Sequence, residues 1–137
     1  MSYQKTTPVP TSHGRMLLPL GYMAALFLLS SIPGDASTDT LVGKVFQWVT
    51  PDWQNLLHIP LYAGLTASWL WATAGYPLDH RYRLGIAFAL SVLWAVLDEA
   101  HQMGVPGRYG SLTDLALNLL GAALVIIYAR HRTKRDA

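Results

Sequence analysis

Residues 84–103 read LGIAFALSVLWAVLDEAHQM, an apolar run that ends in two acids, a histidine and an amide. Residues 111–129, SLTDLALNLLGAALVIIYA, show the reverse order, because their polar residues come first. A helix needs roughly 20 apolar residues to cross the hydrocarbon core of a membrane. Both stretches approach that length only with their polar ends included, so we expect those ends in or near the membrane. Ionisable side chains there cost several kcal/mol unless they face a polar interior or water, which makes them candidates for a functional site.

The composition of the whole chain indicates a membrane protein with one domain. Of the 137 residues, 52% are hydrophobic and only 13% are charged, an unusual balance for a soluble protein of this size. Two further apolar runs, Met16 to Ile32 and Leu56 to Tyr76, bring the candidate spans to four. We therefore predict an all-α membrane protein, a four-transmembrane-helix bundle. The chain has no cysteine, which excludes disulfides, thiol catalysis and a cysteine-ligated zinc.

The segments on either side of the first apolar run carry weaker signals. Residues 1–14, rich in Thr, Pro, Ser and Gly, are predicted to be a disordered cytoplasmic leader. A secretory signal is disfavoured, because this leader is long and the apolar run exceeds the usual signal core of roughly 7 to 15 residues. In the first loop, apolar residues between Leu41 and Val49 are spaced as on one face of a short helix, with Trp53 nearby. They predict a helix lying in the membrane interface or, equally, an amphipathic connector packed on the bundle.

Basic residues divide unequally between the two sides of the predicted bundle. The first and third loops contain one each, Lys44 and Arg108, and the other eight of the ten lie in the N-terminal segment, the second loop and the C-terminal segment. By the positive-inside rule, both termini are cytoplasmic, and the first and third loops face the outside. Residues 131–137 are then a basic cytoplasmic tail that anchors the last span or, alternatively, touches anionic lipid. The formal net charge of +2 is accordingly a signal of topology rather than of nucleic-acid binding.

Polar residues recur at helical spacing inside the predicted spans. The second span carries them at i, i+4 and i+8 from His58, and the third span carries them at i, i+3 and i+4 from Asp98. Since successive spans alternate in direction, the start of the second, the end of the third and the start of the fourth lie at the same outer level. We therefore expect one site that contains His58, Asp98, Glu99, His101, Arg108, Asp114 and Asn118.

The acids and histidines of this site are the predicted catalytic residues. Asp98 and Glu99 lie near the C-terminal end of a helix, where the macrodipole favours cations, so capping of that helix does not explain them. Asp98 is expected to orient His101. Glu99 is expected to act as an acid or base, or to take part in chemistry at a phosphate group of the substrate. A structural salt bridge to Arg108 is the alternative. His58 and His101 are candidate general bases or nucleophiles, because imidazole titrates near neutrality.

Arg108 and several neutral or capping residues are predicted to bind the substrate. The planar guanidinium of Arg108 matches a phosphate or carboxylate, with snorkelling at the membrane interface as the alternative. For Ser111 and Asp114 the alternative role is a capping box. For the phenol of Tyr62 and the amide of Asn118 it is hydrogen bonding within the bundle. A metal site built from the histidines and acids matches no standard zinc motif, so no metal and no cofactor is predicted. The predicted substrate-binding residues are Tyr62, Gln102, Arg108, Ser111, Asp114 and Asn118.

Four motifs resemble the signature of VanZ-like integral membrane proteins. They are LDEAHQ at residues 97–102, VPGR at 105–108, SLTD at 111–114 and NLLG at 118–121. His58, Tyr62 and the SSIP segment at 30–33 are similar to earlier landmarks of the family. The resemblance implies a VanZ-like transmembrane domain over residues 15–130, in a multi-pass protein of the bacterial cytoplasmic (inner) membrane.

The resemblance also bears on function. The founding member of the family is associated with low-level resistance to the glycopeptide teicoplanin, and the family is thought to be similar to lipid-modifying membrane enzymes. We therefore favour a cell-envelope enzyme that transfers or hydrolyses a phosphate-linked lipid head group at the outer leaflet. The alternative is a non-catalytic protein that binds a lipid, a cell-wall precursor or a glycopeptide antibiotic.

A proton-coupled transporter is disfavoured, because no polar stripe continues to the cytoplasmic ends of the spans. The expected partners are membrane lipids and a lipid-linked envelope precursor, with no nucleic acid.

Overall fold

A computed structural model describes residues 13–34, 44 and 51–135. They form four long helices and one short one, and no strand is found within these ranges. A 3-10 helix at His13–Met16 leads into α1 at Leu17–Ser30, which is followed by α2 at Pro51–Thr73, α3 at His80–Gln102 and α4 at Leu112–Arg135. The all-α prediction is confirmed. Apart from Lys44, the predicted interfacial helix lies outside the described ranges, as does most of the predicted leader.

Proline, glycine and a capping residue set the limits of two helices. After α1, Ser31 still donates its backbone N–H to a carbonyl one turn back, and Pro33 and Gly34 then end the helix. α4 begins after Ser111, whose hydroxyl accepts the backbone N–H of Asp114 at 3.2 Å and so caps the first turn. Both signals are visible in the sequence, and both helices begin or end close to them.

Two helices extend beyond the predicted apolar runs. α2 starts at Pro51 rather than near Leu56, because proline is well tolerated in the first turn of a helix. α4 runs to Arg135 rather than to Ala129, because basic side chains interact favourably with the C-terminal end of the helix dipole. Hydropathy alone therefore misses the start of α2 and the end of α4, and it places the end of α2 three residues beyond Thr73.

The bundle buries polar side chains beside its apolar core and exposes large apolar side chains. Thr66 and Asn118 are completely buried, whereas Leu93 on α3 and Ile127 on α4 each expose more than half of their surface. Soluble monomers rarely expose contiguous apolar surface of this kind. Within the described ranges, α3 and the Leu112–Thr133 part of α4 are long and apolar enough to span a membrane, with mean hydropathies of 1.4 and 1.9. These features together indicate a membrane protein.

The most extensive helix contact is between α2 and α4. At Gly121, a Cβ atom would collide with the backbone carbonyl of Ile59, so only glycine permits this approach. The contact brings the first turns of α4 against α2 and fixes the distance between their polar side chains. The buried apolar core beside it contains Leu26, Leu65, Trp69, Ala87 and Ala95, together with the ring of Tyr62.

The two ends of the bundle differ in charge. At the end where α1 begins, the guanidinium of Arg15 lies over the ring of Trp71 at 5.0 Å, a cation–π contact. Arg83 donates a hydrogen bond to the carbonyl of Leu70 at the same end. The described arginines other than Arg108 all lie at this end, because they belong to the 3-10 helix before α1, to the start of α3 or to the last turns of α4.

Candidate functional site

The opposite end of the bundle collects polar side chains from three helices. Since successive helices run in opposite directions, this end contains the last turns of α1 and α3 and the first turns of α2 and α4. We call the cluster there the polar site, and it consists of His58, Tyr62, Asp98, Glu99, Gln102, Asp114 and Asn118.

Two turns close this end of the bundle. The N–H of Gly34, after α1, donates to the carbonyl of Pro106, after α3, at 3.0 Å. Nε of Arg108 donates to the carbonyl of Ile32 at 2.8 Å. Between them, Gly107 has a φ of 71°, a left-handed conformation that glycine adopts without steric cost. Residues 32–34 and 106–108 therefore form one linked rim beside the polar site.

The two ring nitrogens of His58 have different surroundings. Nδ1 lies 2.8 Å from Oδ1 of Asn118 and, because an amide oxygen only accepts, Nδ1 carries the proton of that hydrogen bond. Nε2 faces Oδ2 of Asp114 at 3.9 Å. The lone pair of a neutral Nε2 and a carboxylate oxygen repel each other unless a proton or a donor lies between them. The pair is therefore suited to hold a proton or a donor group of a ligand.

Asp98 is the inner member of a chain of polar contacts. The hydroxyl of Tyr62 and the side-chain amide of Gln102 both donate to Oδ2 of Asp98, each at 3.4 Å. Oε1 of Gln102 in turn accepts from the guanidinium of Arg108 at 3.4 Å. These contacts connect the buried core to the rim.

Glu99 reaches from α3 to the start of α4. Its Oε2 accepts the backbone N–H of Ser111 at 3.0 Å. In a capping box, the acid three residues after the capping residue accepts that N–H. Here Glu99, rather than Asp114, accepts the N–H of Ser111. The carboxylate of Asp114 faces His58 instead. The hydroxyl of Ser111 is likewise engaged as a helix cap.

Four buried polar atoms of the polar site have no hydrogen-bond partner among the described residues. They are Oδ1 of Asp98, Oε1 of Glu99, Oδ1 of Asp114 and Nδ2 of Asn118. Asp98, Glu99 and Asn118 each expose at most 7% of their surface. Glu99 and Asp114 are linked through Ser111, whose backbone N–H donates to Glu99 and whose hydroxyl accepts the N–H of Asp114. Because an unsatisfied buried polar group costs about 1–3 kcal/mol, these atoms mark a place that needs protons, water or a ligand.

His101 turns toward α1 instead of the polar site. Its Nε2 is 3.0 Å from Oγ of Ser31, and its ring centre lies 4.4 Å from that of Phe27. The hydroxyl of Ser31 donates to the carbonyl of Phe27 at 2.6 Å, so it accepts from His101. Among the described side chains, the expected pairing of Asp98 with His101 is not found, because Asp98 bonds to α2 and to the next turn of α3.

Every predicted site residue lies at this end of the bundle, but the residues form separate groups. The polar site contains most of them, Arg108 belongs to the rim, Ser111 caps α4 and His101 joins α3 to α1. The contribution of α1 was missed from the sequence, since neither Ser31 nor the carbonyl of Ile32 was assigned a partner. A signal for Ser31 exists, because it is a hydroxyl directly after an apolar helix.

The polar site is chemically suited to proton transfer and to binding donor groups. Carboxylates and an imidazole lie together, and several of their acceptor atoms are unused. Within the described ranges, no group of three or more His, Asp or Glu side chains is arranged to hold a metal ion.

Comparison with known protein families identifies a matching family. The VanZ/LLP1 family model matches residues 15–132, which is most of the chain. The chain therefore belongs to the VanZ/LLP1 family, as the resemblance of its motifs indicated. No curated protein and no solved structure matches it.

Proposed function

We propose that this VanZ/LLP1 family protein is a multi-pass enzyme of the bacterial cytoplasmic membrane that acts on the phosphate-linked head group of an envelope lipid. The observation that carries the proposal is the geometry of His58, which is held at Nδ1 by Asn118 and faces Asp114 with Nε2. A histidine whose tautomer is fixed on one side and whose other nitrogen faces a carboxylate is a suitable general acid–base group.

In the proposed topology, all four helices cross the membrane and both termini are cytoplasmic. Exposed leucines support this for the shorter α1, since Leu17 and Leu28 expose 73% and 67% of their surface. α2 likewise exposes Leu57 and Trp71. The basic end of the bundle would face the cytoplasm by the positive-inside rule. The polar site and its rim would then open at the outer leaflet, where lipid head groups lie.

In the proposed reaction, His58 moves one proton while phosphorus changes its oxygen partner. Nε2 takes the proton of an attacking water or hydroxyl as the new oxygen–phosphorus bond forms, and Asp114 stabilises the imidazolium. The proton then passes to the oxygen that leaves as the head-group bond breaks. Arg108 places a positive charge at the rim, one side chain from Asp98, where the phosphate would lie.

Head-group turnover by the purified protein tests this proposal. The protein, reconstituted with labelled envelope lipids, is expected to change their head groups, and His58→Gln is expected to lower the rate by roughly 100-fold or more. The matched control is His101→Gln, which makes the same substitution at the contact with α1 and should keep most of the activity.

Two results would overturn the assignment. Loss of turnover in His101→Gln but not in His58→Gln would transfer the acid–base role to His101. A broad lipid panel that is bound but never converted would instead support the alternative, a non-catalytic protein that binds a lipid or envelope precursor.

A further inference from the structure

We infer that the polar site selects a head group that carries a protonated primary amine, of the phosphoethanolamine class. This substrate class rests on the proposed function, since it assumes that the polar site receives a lipid head group. The inference depends on the charges of the site and on its unpartnered atoms.

The charges of the polar site favour a cation over an anion. Asp98, Glu99 and Asp114 contribute three carboxylates to the polar site, whereas Arg108 contributes one guanidinium at its rim. A purely anionic head group would add like charge beside these carboxylates. An ammonium group would be attracted to them, and the attraction is stronger in a buried site than in water.

The unpartnered acceptor atoms match a primary ammonium in number. Oδ1 of Asp98, Oε1 of Glu99 and Oδ1 of Asp114 are buried acceptors without a described donor. A primary ammonium has three N–H donors, whereas a quaternary ammonium has none and a hydroxyl has one. A primary amine therefore supplies as many N–H donors as the site has unpartnered carboxylate oxygens.

Asn118 indicates independently that a ligand binds here. It is completely buried, its Oδ1 is engaged by His58, and its Nδ2 has no described partner. An ammonium cannot satisfy this amide donor, because the donor needs an acceptor. A phosphate ester oxygen is such an acceptor, so a zwitterionic phosphoethanolamine supplies both of the missing partners.

Other occupants fit less well. Within the described ranges, no three acidic or histidine side chains are arranged as metal ligands. A glycerol or sugar head group brings hydroxyl donors but no positive charge for the three carboxylates. The primary amine therefore agrees with both the charges and the hydrogen-bond donors that the site lacks.

A lipid competition experiment tests the inference with the full-length protein. Native mass spectrometry is carried out in detergent with equal amounts of phosphatidylethanolamine, phosphatidylcholine and phosphatidylglycerol. Phosphatidylethanolamine should bind about tenfold more tightly than either of the others. Phosphatidylcholine keeps the charge but lacks N–H donors, and phosphatidylglycerol keeps donors but lacks the cation, so the two comparisons separate these contributions.

Two variants locate the preference. Glu99→Gln keeps an acceptor for the N–H of Ser111 but removes a carboxylate charge, and it should reduce the preference severalfold. Asp79→Asn, at an exposed carboxylate of the opposite end, should leave the preference unchanged. Equal binding of the three lipids by the unmodified protein, or an unchanged preference in Glu99→Gln, would overturn the inference.

Turnover separates this inference from the proposed function. Conversion of lipids without any preference for the primary amine would refute the substrate class but would still support the proposed enzymatic activity. A preference for phosphatidylethanolamine without conversion of any lipid would support the selectivity and refute the enzyme.

Discussion

The backbone N–H of Ser111 donates to Oε2 of Glu99 at 3.0 Å, so one carboxylate near the end of α3 binds the start of α4. A negative charge is unfavourable at the C-terminal end of its own helix and favourable at the N-terminal end of another. This contact therefore explains why an acid is tolerated at residue 99. The other oxygen of the same carboxylate is buried and unpartnered, so Glu99 also belongs to the polar site.

The contact predicts different stabilities for two substitutions of Glu99. Glu99→Gln keeps an acceptor for the N–H of Ser111, whereas Glu99→Ala leaves that N–H without one. The alanine variant should therefore be less stable than the glutamine variant by about 1–3 kcal/mol. Thermal unfolding in detergent, followed by circular dichroism, measures the difference. Because both variants lack the charge, equal melting temperatures would show that the hydrogen bond does not stabilise the protein.

The α2–α4 contact predicts opposite effects for the same substitution at two glycines. Gly121→Ala places a Cβ atom against the carbonyl of Ile59, so it should force the helices apart and lower the melting temperature. Gly85→Ala meets nothing within 4 Å and should stabilise α3 by about 0.5–1 kcal/mol. Thermal unfolding of the two variants tests this contrast. A Gly121→Ala protein as stable as Gly85→Ala would contradict the close approach.

The rim predicts that charge alone does not replace Arg108. Arg108→Lys keeps the positive charge but loses the fork that reaches the carbonyl of Ile32 and the side chain of Gln102. We expect a loss of about 1 kcal/mol in unfolding free energy. The control is Arg130→Lys, on an exposed side chain near the end of α4, which should change little. Identical melting curves for both variants would show that the contacts of Arg108 at the rim do not stabilise the protein.

Helical periodicity explains why much of this arrangement could be predicted. Polar residues at i, i+4 and i+8 from His58 lie on one face, and that face is turned inward at Tyr62 and Thr66. Alternating helix directions then place the polar ends of α3 and α4 beside His58. Both steps depend on repeating geometry, which a sequence records directly. The family assignment followed from motifs and is confirmed by the match over residues 15–132.

Two of the contacts that could not be predicted have backbone atoms as partners. Every residue has a backbone carbonyl, and every residue except proline has a backbone N–H. No side-chain pattern therefore identifies the N–H of Ser111 or the carbonyl of Ile32 as a hydrogen-bonding partner.

The rotation of α3 about its axis also had to be known before His101 could be assigned to α1. A histidine at the edge of a helical stripe can face either neighbour, and the contact with Ser31 decides between them.

The absence of cysteine makes the proposed orientation directly measurable. Tyr109 follows the rim and exposes 87% of its surface, and Asp79 is exposed before α3 at the basic end. In cells with an intact cytoplasmic membrane, a membrane-impermeant maleimide should label Tyr109→Cys but not Asp79→Cys. Permeabilisation should make both thiols reactive, and the unsubstituted protein should remain unlabelled throughout. Labelling of Asp79→Cys alone in intact cells would place the polar site at the cytoplasmic face and exclude an outer-leaflet substrate.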